Sequence, residues 1–303
     1  MRHTRRLFDL HRRLPMRPTP YRLQAAAAVV AVCCAAPASA IVTADGGLPA
    51  LPSGLDLGGV AQLSNGCSGV LLQGGLYVLA SGHCALAAGG TVSFLGGSVT
   101  ATVAETVYAP GYDADTGVND LSLSRLVAPV VSVAGYSLAT DNTLPRSVVL
   151  AGYGLGGSGL TGASAAAGVL RWGFNDYEVL LADDPPSFYN GTMVGYDFDD
   201  GTADNNRFGS LGQGAGEAGV AAGDSGGPSF VLVAGQWQVA GIHIGVDDDL
   251  GFGFGGIGYD LRLASYAAWV SQVTAVPEPA PVALLALGLA GLALRRRVRP
   301  PAR

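Results

Sequence analysis

The 303-residue sequence predicts an all-β fold, and three observations carry the prediction. Apolar runs are short, as at 69–72, 76–80, 91–95, 98–107 and 121–126, and several alternate with polar residues as half-buried strands do. Gly, Asp and Pro separate the runs, and 46 glycines supply many tight turns. The texture fills Leu51 to Val149 and returns from Gly152 to Val273, which suits barrels or a sandwich. Helix is expected only in a short piece with Tyr266 and Trp269 and in targeting segments at the two ends.

In chain order, residues 1–40 read as a signal peptide. Arginines 2, 5, 6, 12, 13, 17 and 22 precede an apolar run from Ala25 to Ala36, and Ala38-Ser39-Ala40 is a small-x-small cleavage site. Met16 to Ala40 alone makes a leader of ordinary length, so a start at Met16 is an alternative to Met1. The apolar run is too short for a membrane span. Cleavage removes Cys33 and Cys34 and leaves Cys67 and Cys84, an even pair in an oxidising compartment. A bridge between them would brace His83 and contribute about 3 kcal/mol by loop closure.

Charge excludes one class of partner. Residues 41–275 carry five arginines against 21 acidic residues, a net charge of −16 where the whole chain has −6. Such a surface repels nucleic acid and anionic membranes.

The chemistry points to Gly223-Asp224-Ser225-Gly226-Gly227-Pro228. A serine hydroxyl becomes a useful nucleophile when a base takes its proton and fixed N–H groups receive the oxyanion. Flanking glycines let the backbone turn its amides to one point. Ser225 is then the nucleophile, Gly223 and Ser225 give the oxyanion donors, and Asp224 is placed to hold the turn. Outside the leader only His83 and His243 remain as bases. His83 ends the strand-like run Tyr77–Ala80. Asp120 opens the alternating run Leu121-Ser122-Leu123, an unfavourable place for an Asp unless it orients an imidazole.

Cys67-Ser68-Gly69-Val70, Leu79-Ala80-Ser81-Gly82-His83-Cys84, Asn119-Asp120-Leu121-Ser122-Leu123 and Gly223 to Pro228 together resemble the trypsin/chymotrypsin family of serine proteases, in that family's His…Asp…Ser order. The likeness covers about Ile41 to Val273. It implies two antiparallel Greek-key barrels, at 41–145 and 146–275, with a short C-terminal helix. It implies peptide-bond hydrolysis through His83, Asp120 and Ser225 and an acyl-enzyme, without a cofactor. A non-catalytic binding or adhesion protein, or an esterase, is the alternative on the same fold.

The resemblance also implies finer roles. Cleavage after Ala40 would expose Ile41, whose ammonium would pair with Asp224. Gly219 would lie at the base of the specificity pocket and Gly258 in its wall. Gly241-Ile242-His243-Ile244-Gly245 is similar to a run in glutamyl endopeptidases, where the His binds an acidic side chain; a buried core histidine is the competing reading.

Two acidic stretches and the tail complete the chain. Tyr196 to Asn205 resembles half a calcium loop but lacks a Glu at the twelfth position, so a solvated turn competes with a structural calcium site. Asp247-Asp248-Asp249 reads as a solvated face. At 276–303, Val276-Pro277-Glu278-Pro279, an apolar run to Leu294 and Arg295-Arg296-Arg297 resemble a PEP-CTERM sorting signal. That implies a Gram-negative envelope or extracellular location, transient membrane association, and processing by signal peptidase and an exosortase-type enzyme.

Overall fold

The computed structural model describes residues 41–141, 143–144, 146–181, 192–247, 249–275 and 289. The signal-peptide expectation, and the sorting signal apart from Leu289, lie outside the described residues.

Strand β1 (Ile41–Thr43) comes first. A closed barrel follows from β2 (Val60–Leu63), β3 (Ser68–Leu71), β4 (Tyr77–Ala80), β5 (Thr91–Phe94), β6 (Val99–Tyr108) and β7 (Ser122–Leu126), in the order β2-β3-β4-β7-β6-β5. Strand β5 returns to lie beside β2 rather than β4, which is a Greek key. Neighbouring residues on these strands serve two different cores. Leu71 and Val78 point into the barrel with Val92, Phe94, Val103 and Leu126. Val70 and Leu79 point outward into a second core. Burial on both faces explains why Tyr77–Ala80 reads as a continuous apolar run rather than an alternation.

The second half supplies β8 (Arg146–Gly152), β9 (Gly156–Ser158), β10 (Gly162–Ala165), β11 (Arg171–Tyr177), β12 (Val179–Leu181), β13 (Met193–Asp197), β14 (Ala218–Gly219), β15 (Pro228–Val233), β16 (Gln236–Val246), β17 (Ile257–Arg262) and helix α1 (Ala267–Thr274). Seven of the strands make the sheet β11-β8-β15-β16-β17-β13-β12. Without the short β12, its strand order is cyclically the same as that of the first barrel. The one difference is the seam between β11 and β13, where no backbone ladder forms among the described residues. The Asn175 side-chain amide crosses it, donating to the carbonyls of Asp197 and Ala218 at 2.8 Å each.

Both ends of the folded part cross over. β1 lies at the start of the expected first barrel, yet it joins the second half, pairing antiparallel with β14 and parallel with β9. Helix α1 closes the second half in sequence but reaches back to the first barrel. Tyr77 Oη donates to the Val273 carbonyl at 3.2 Å, and Tyr266 Oη donates to Asn119 Oδ1 at 2.8 Å. The core between the halves joins Val70, Leu79, Leu121 and Leu123 to Val149, Phe230, Ile242, Leu261 and Val270.

Candidate active site

His83 sits in a single 3-10 turn, Gly82–Cys84, that β4 runs into at the edge of the first barrel. Strand β7 pairs with β4, Ala80 opposite Ser122, and brings Asp120 to the same edge. Both carboxylate oxygens of Asp120 are engaged by His83. The backbone N–H of His83 donates to Oδ1 at 2.7 Å, and Nδ1 lies 2.6 Å from Oδ2. The Asp120 side chain is 7% exposed and that of His83 is 44% exposed. The imidazole is thus fixed on its buried side by an acceptor and presents Nε2 outward. Cys67 and Cys84 form a disulfide that ties the histidine turn to the start of β3.

The serine turn comes from the second half. Gly223 has φ 93° and Gly226 has φ 84°, a region that L side chains rarely adopt. Asp224 is fully buried and accepts from Gly154 N–H at 2.8 Å and Ala221 N–H at 2.9 Å. Burial pushes its carboxyl up to about 6, against the pull of Ala221, His243, Gly154 and the Ile41 N–H. The N–H of Asp224 bonds the Ala221 carbonyl and that of Gly226 bonds the His243 carbonyl. Among the described residues, the N–H groups of Gly223 and Ser225 make no hydrogen bond within the chain. Two unspent amides therefore flank Asp224, as an oxyanion site needs.

The two halves meet through Ser68, a residue to which sequence reasoning assigned no role. Its N–H donates to the Ser225 carbonyl at 2.9 Å, its hydroxyl donates to the Gly223 carbonyl at 2.9 Å, and the same oxygen accepts from Tyr153 N–H at 2.9 Å. Cys84 Sγ, one residue beyond His83, lies 3.6 Å from the Ser225 carbonyl. Ser225 is half-buried and its hydroxyl forms no hydrogen bond among the described residues. Catalytic hydrogen bonds commonly tighten only when substrate is bound.

A cavity of about 390 Å³ opens beside Ser225, lined by Val220, Ala221, Ile244, Val246 and Phe252. A narrower inner cavity shares Val220, Val246 and Phe252 with it. Gly219 and Gly258 line this inner cavity and not the outer one. Each is covered by an aromatic ring: a Cβ at Gly219 would meet Phe198 at 3.1 Å, and one at Gly258 would strike Tyr196 at 2.4 Å.

His243 borders the outer cavity but exposes none of its surface. Its Nδ1 lies 2.8 Å from Asp260 Oδ1, and Asp260 also accepts from the hydroxyls of Tyr177, Tyr196 and Ser229. Burial pulls the imidazole pKa down, but Asp260, Asp224 and the Ala151 carbonyl more than reverse this, so the pKa is raised. Asp260 is held below the ordinary carboxylate range, because His243 and the hydroxyls outweigh its burial. His243 is thus held from below by Asp260, while its Nε2, buried and without a hydrogen-bond partner among the described residues, belongs to the lining of the cavity beside Ser225.

The acidic loop also differs from expectation. Asp200 Oδ1 caps the Thr202 N–H and hydroxyl, and Oδ2 accepts from Asn205. Asp200 is exposed and forms an Asx turn, whereas Asp197 and Asp199 of the same stretch are buried.

The family described as Trypsin matches residues 54–270. The chain belongs to the trypsin family. The disulfide and the two barrel-like sheets of this trypsin-family chain fit that assignment. Residues 275–297 match the PEP-CTERM protein-sorting motif, which marks export and sorting to the envelope of Gram-negative bacteria. Among solved structures the chain is similar to neuropsin, a serine protease expressed in the limbic system of mouse brain. The TM-score is 0.56 at 18% identity, over 73% of this chain and 96% of that one. At that identity the likeness speaks for the fold. No curated protein matches.

Proposed function

We propose that this trypsin-family chain is an exported serine endopeptidase. The observations that support the reading are the His83–Asp120 pair at 2.6 Å on one barrel and, on the other half, a serine turn with two unspent amides, linked to the first barrel through Ser68 and Cys84. Ser225 Oγ attacks the peptide carbonyl as His83 Nε2 takes its proton. Asp120 holds the imidazole in the required tautomer and stabilises its charged form. The N–H groups of Gly223 and Ser225 receive the oxyanion. His83 then returns the proton to the leaving amine, and water releases the acyl-enzyme. The apolar lining beside Ser225 favours a large apolar side chain at the cleavage site.

Signal removal also completes the serine turn in this reading. Ile41 is fully buried and holds φ 54°, a strained value for a β-branched residue in an uncut chain. Its N–H is close enough to Asp224 to pull that carboxyl's pKa down. Cleavage after Ala40 removes the strained linkage and replaces this amide by an ammonium, which neutralises the buried carboxylate.

The test is labelling by a serine-directed organophosphonate together with hydrolysis of casein. Wild type should do both and Ser225→Ala neither; labelling of Ser225→Ala to the wild-type level refutes the assignment. Peptide profiling should give cleavage after large apolar residues. The mature N-terminus should read Ile-Val-Thr, and any other start ends the activation scheme.

A further inference from the structure

Four carboxylates gather in the second half, and none belongs to the chemistry above. Glu178 stands between β11 and β12, Asp197 ends β13, Asp199 follows two residues later, and Glu217 precedes β14. One ligand oxygen from each of Glu178, Asp197 and Asp199 lies within 4.8 Å of the others. Glu217 borders Asp199: a Cβ on Gly212 would touch both side chains, at 2.7 Å from Asp199 and 2.9 Å from Glu217.

Three of the four carboxylates are partly satisfied. Glu178 Oε1 accepts from Ser210 N–H at 2.5 Å, Asp197 Oδ2 from Arg207 N–H, and Glu217 Oε2 from Gln213 N–H. Among the described residues, one oxygen of each is buried without a hydrogen-bond partner: Glu178 Oε2, Asp197 Oδ1, Asp199 Oδ1 and Glu217 Oε1. Asp197 and Glu217 are 0% exposed and Asp199 is 2% exposed. Orphaned acceptors on fully buried acids are rare in a settled structure. Asp176 and Asp200 add negative charge around Asp199. Arg207 contributes its N–H here, while its guanidinium Nε turns to the Gly255 carbonyl at 3.4 Å.

We propose that Glu178, Asp197 and Asp199, with Glu217 beside them, hold a calcium ion that ties the β11–β12 turn to the end of β13 and the start of β14. The donor set is all oxygen, which selects a hard cation over zinc or copper. Several converging carboxylates in a dry site suit calcium better than magnesium, which keeps its waters and demands a strict octahedron. The bound ion also steadies the inner cavity wall, since Phe198 lies between two of the ligands and covers Gly219.

The inference uses none of the residues assigned to peptide hydrolysis, so its test reads binding and stability. The purified full chain is stripped with EDTA, then followed by thermal unfolding and by terbium luminescence excited through its aromatic residues. Calcium at a hundredfold excess over its dissociation constant should raise Tm by roughly 5–10 °C. Calcium should also displace terbium, and magnesium should do neither. Asp199→Asn should lose both responses. In EDTA it should melt at or above the wild type, because it removes a repelling charge; a residue with only a structural role would melt lower.

A folded protein with no terbium emission and no calcium shift at any pH overturns the site. So does an equal response to magnesium.

Discussion

Gly82 leaves room for the His83–Asp120 pair. A Cβ there would lie 2.7 Å from the Tyr112 ring and 2.9 Å from Asp120 Oδ1, so the carboxylate or the ring must move. Misplacement on this scale costs about a hundredfold in rate. Gly82→Ala should lower kcat by about that factor while the protein keeps its circular dichroism spectrum; unchanged kcat would remove Asp120 from the orienting role. His243 gives a contrasting prediction. Taking one partner from a buried ion pair leaves a lone charge and costs about 3–5 kcal/mol. His243→Gln should lower stability to that extent in urea unfolding and leave the ranking of peptide substrates unchanged. A gain or loss of cleavage after Glu would place the imidazole in the pocket after all. For Asp224 the uncut chain carries the signature of a carboxyl raised to about 6. Stability from its protonation is complete below the ordinary value of 3.8 and is lost as pH rises through 6. The form cut after Ala40 gains an ammonium there, so its melting temperature should fall less between pH 4 and 6 than that of a chain blocked from cleavage.

The elements show why function sits at edges. β4 ends in the histidine turn, β7 begins just after Asp120, and β15 begins just after the serine turn, so each strand delivers its residue by ending or starting there. The disulfide fastens the histidine turn to β3, whose Ser68 grips the serine turn. Replacing Cys67 and Cys84 by serine should cost about 3 kcal/mol by loop closure. Calorimetry would read this as a lower Tm, and activity should fade at a lower temperature than global unfolding. Ser68→Ala removes two buried hydrogen bonds and should cost about 1–3 kcal/mol. It should also lower kcat more than it raises KM, because the oxyanion amides lose their brace.

At the scale of the whole molecule, net charge and crossed ends matter most. The folded part carries −16 between residues 41 and 275. Such a field draws in cationic peptides, an effect that salt screens. The ratio kcat/KM for a peptide with lysines away from the cut should fall as salt rises from 10 to 300 mM, while that for a neutral peptide stays flat. Equal salt dependence for both would rule out steering.

The strand texture, the closed loop between the two cysteines and the residue types of the serine, histidine and aspartate motifs were legible in the sequence, because each is written in neighbours along the chain. Other features were not. Nothing local in Ile41-Val42-Thr43 says that it pairs with Ala218-Gly219 in the other half, or that α1 leans on Tyr77 and Asn119 of the first barrel. His243 lies on an apolar strand that fits a pocket or a core equally; the fold adds what the strand does not show, Asp260 beneath the ring and a cavity beside it. Ser68 resembles any small strand residue until the fold brings Gly223 and Tyr153 to its hydroxyl. Glu178 is 19 positions from Asp197 and meets Asp197 and Asp199 only because β12 and β13 pair in one sheet. Sequence by itself determined the class of fold and the kinds of side chain at the site, since periodicity and turn chemistry are local. The partners across the molecule were decided by tertiary structure alone, since pairing between distant segments depends on which surfaces the whole chain can bury at once.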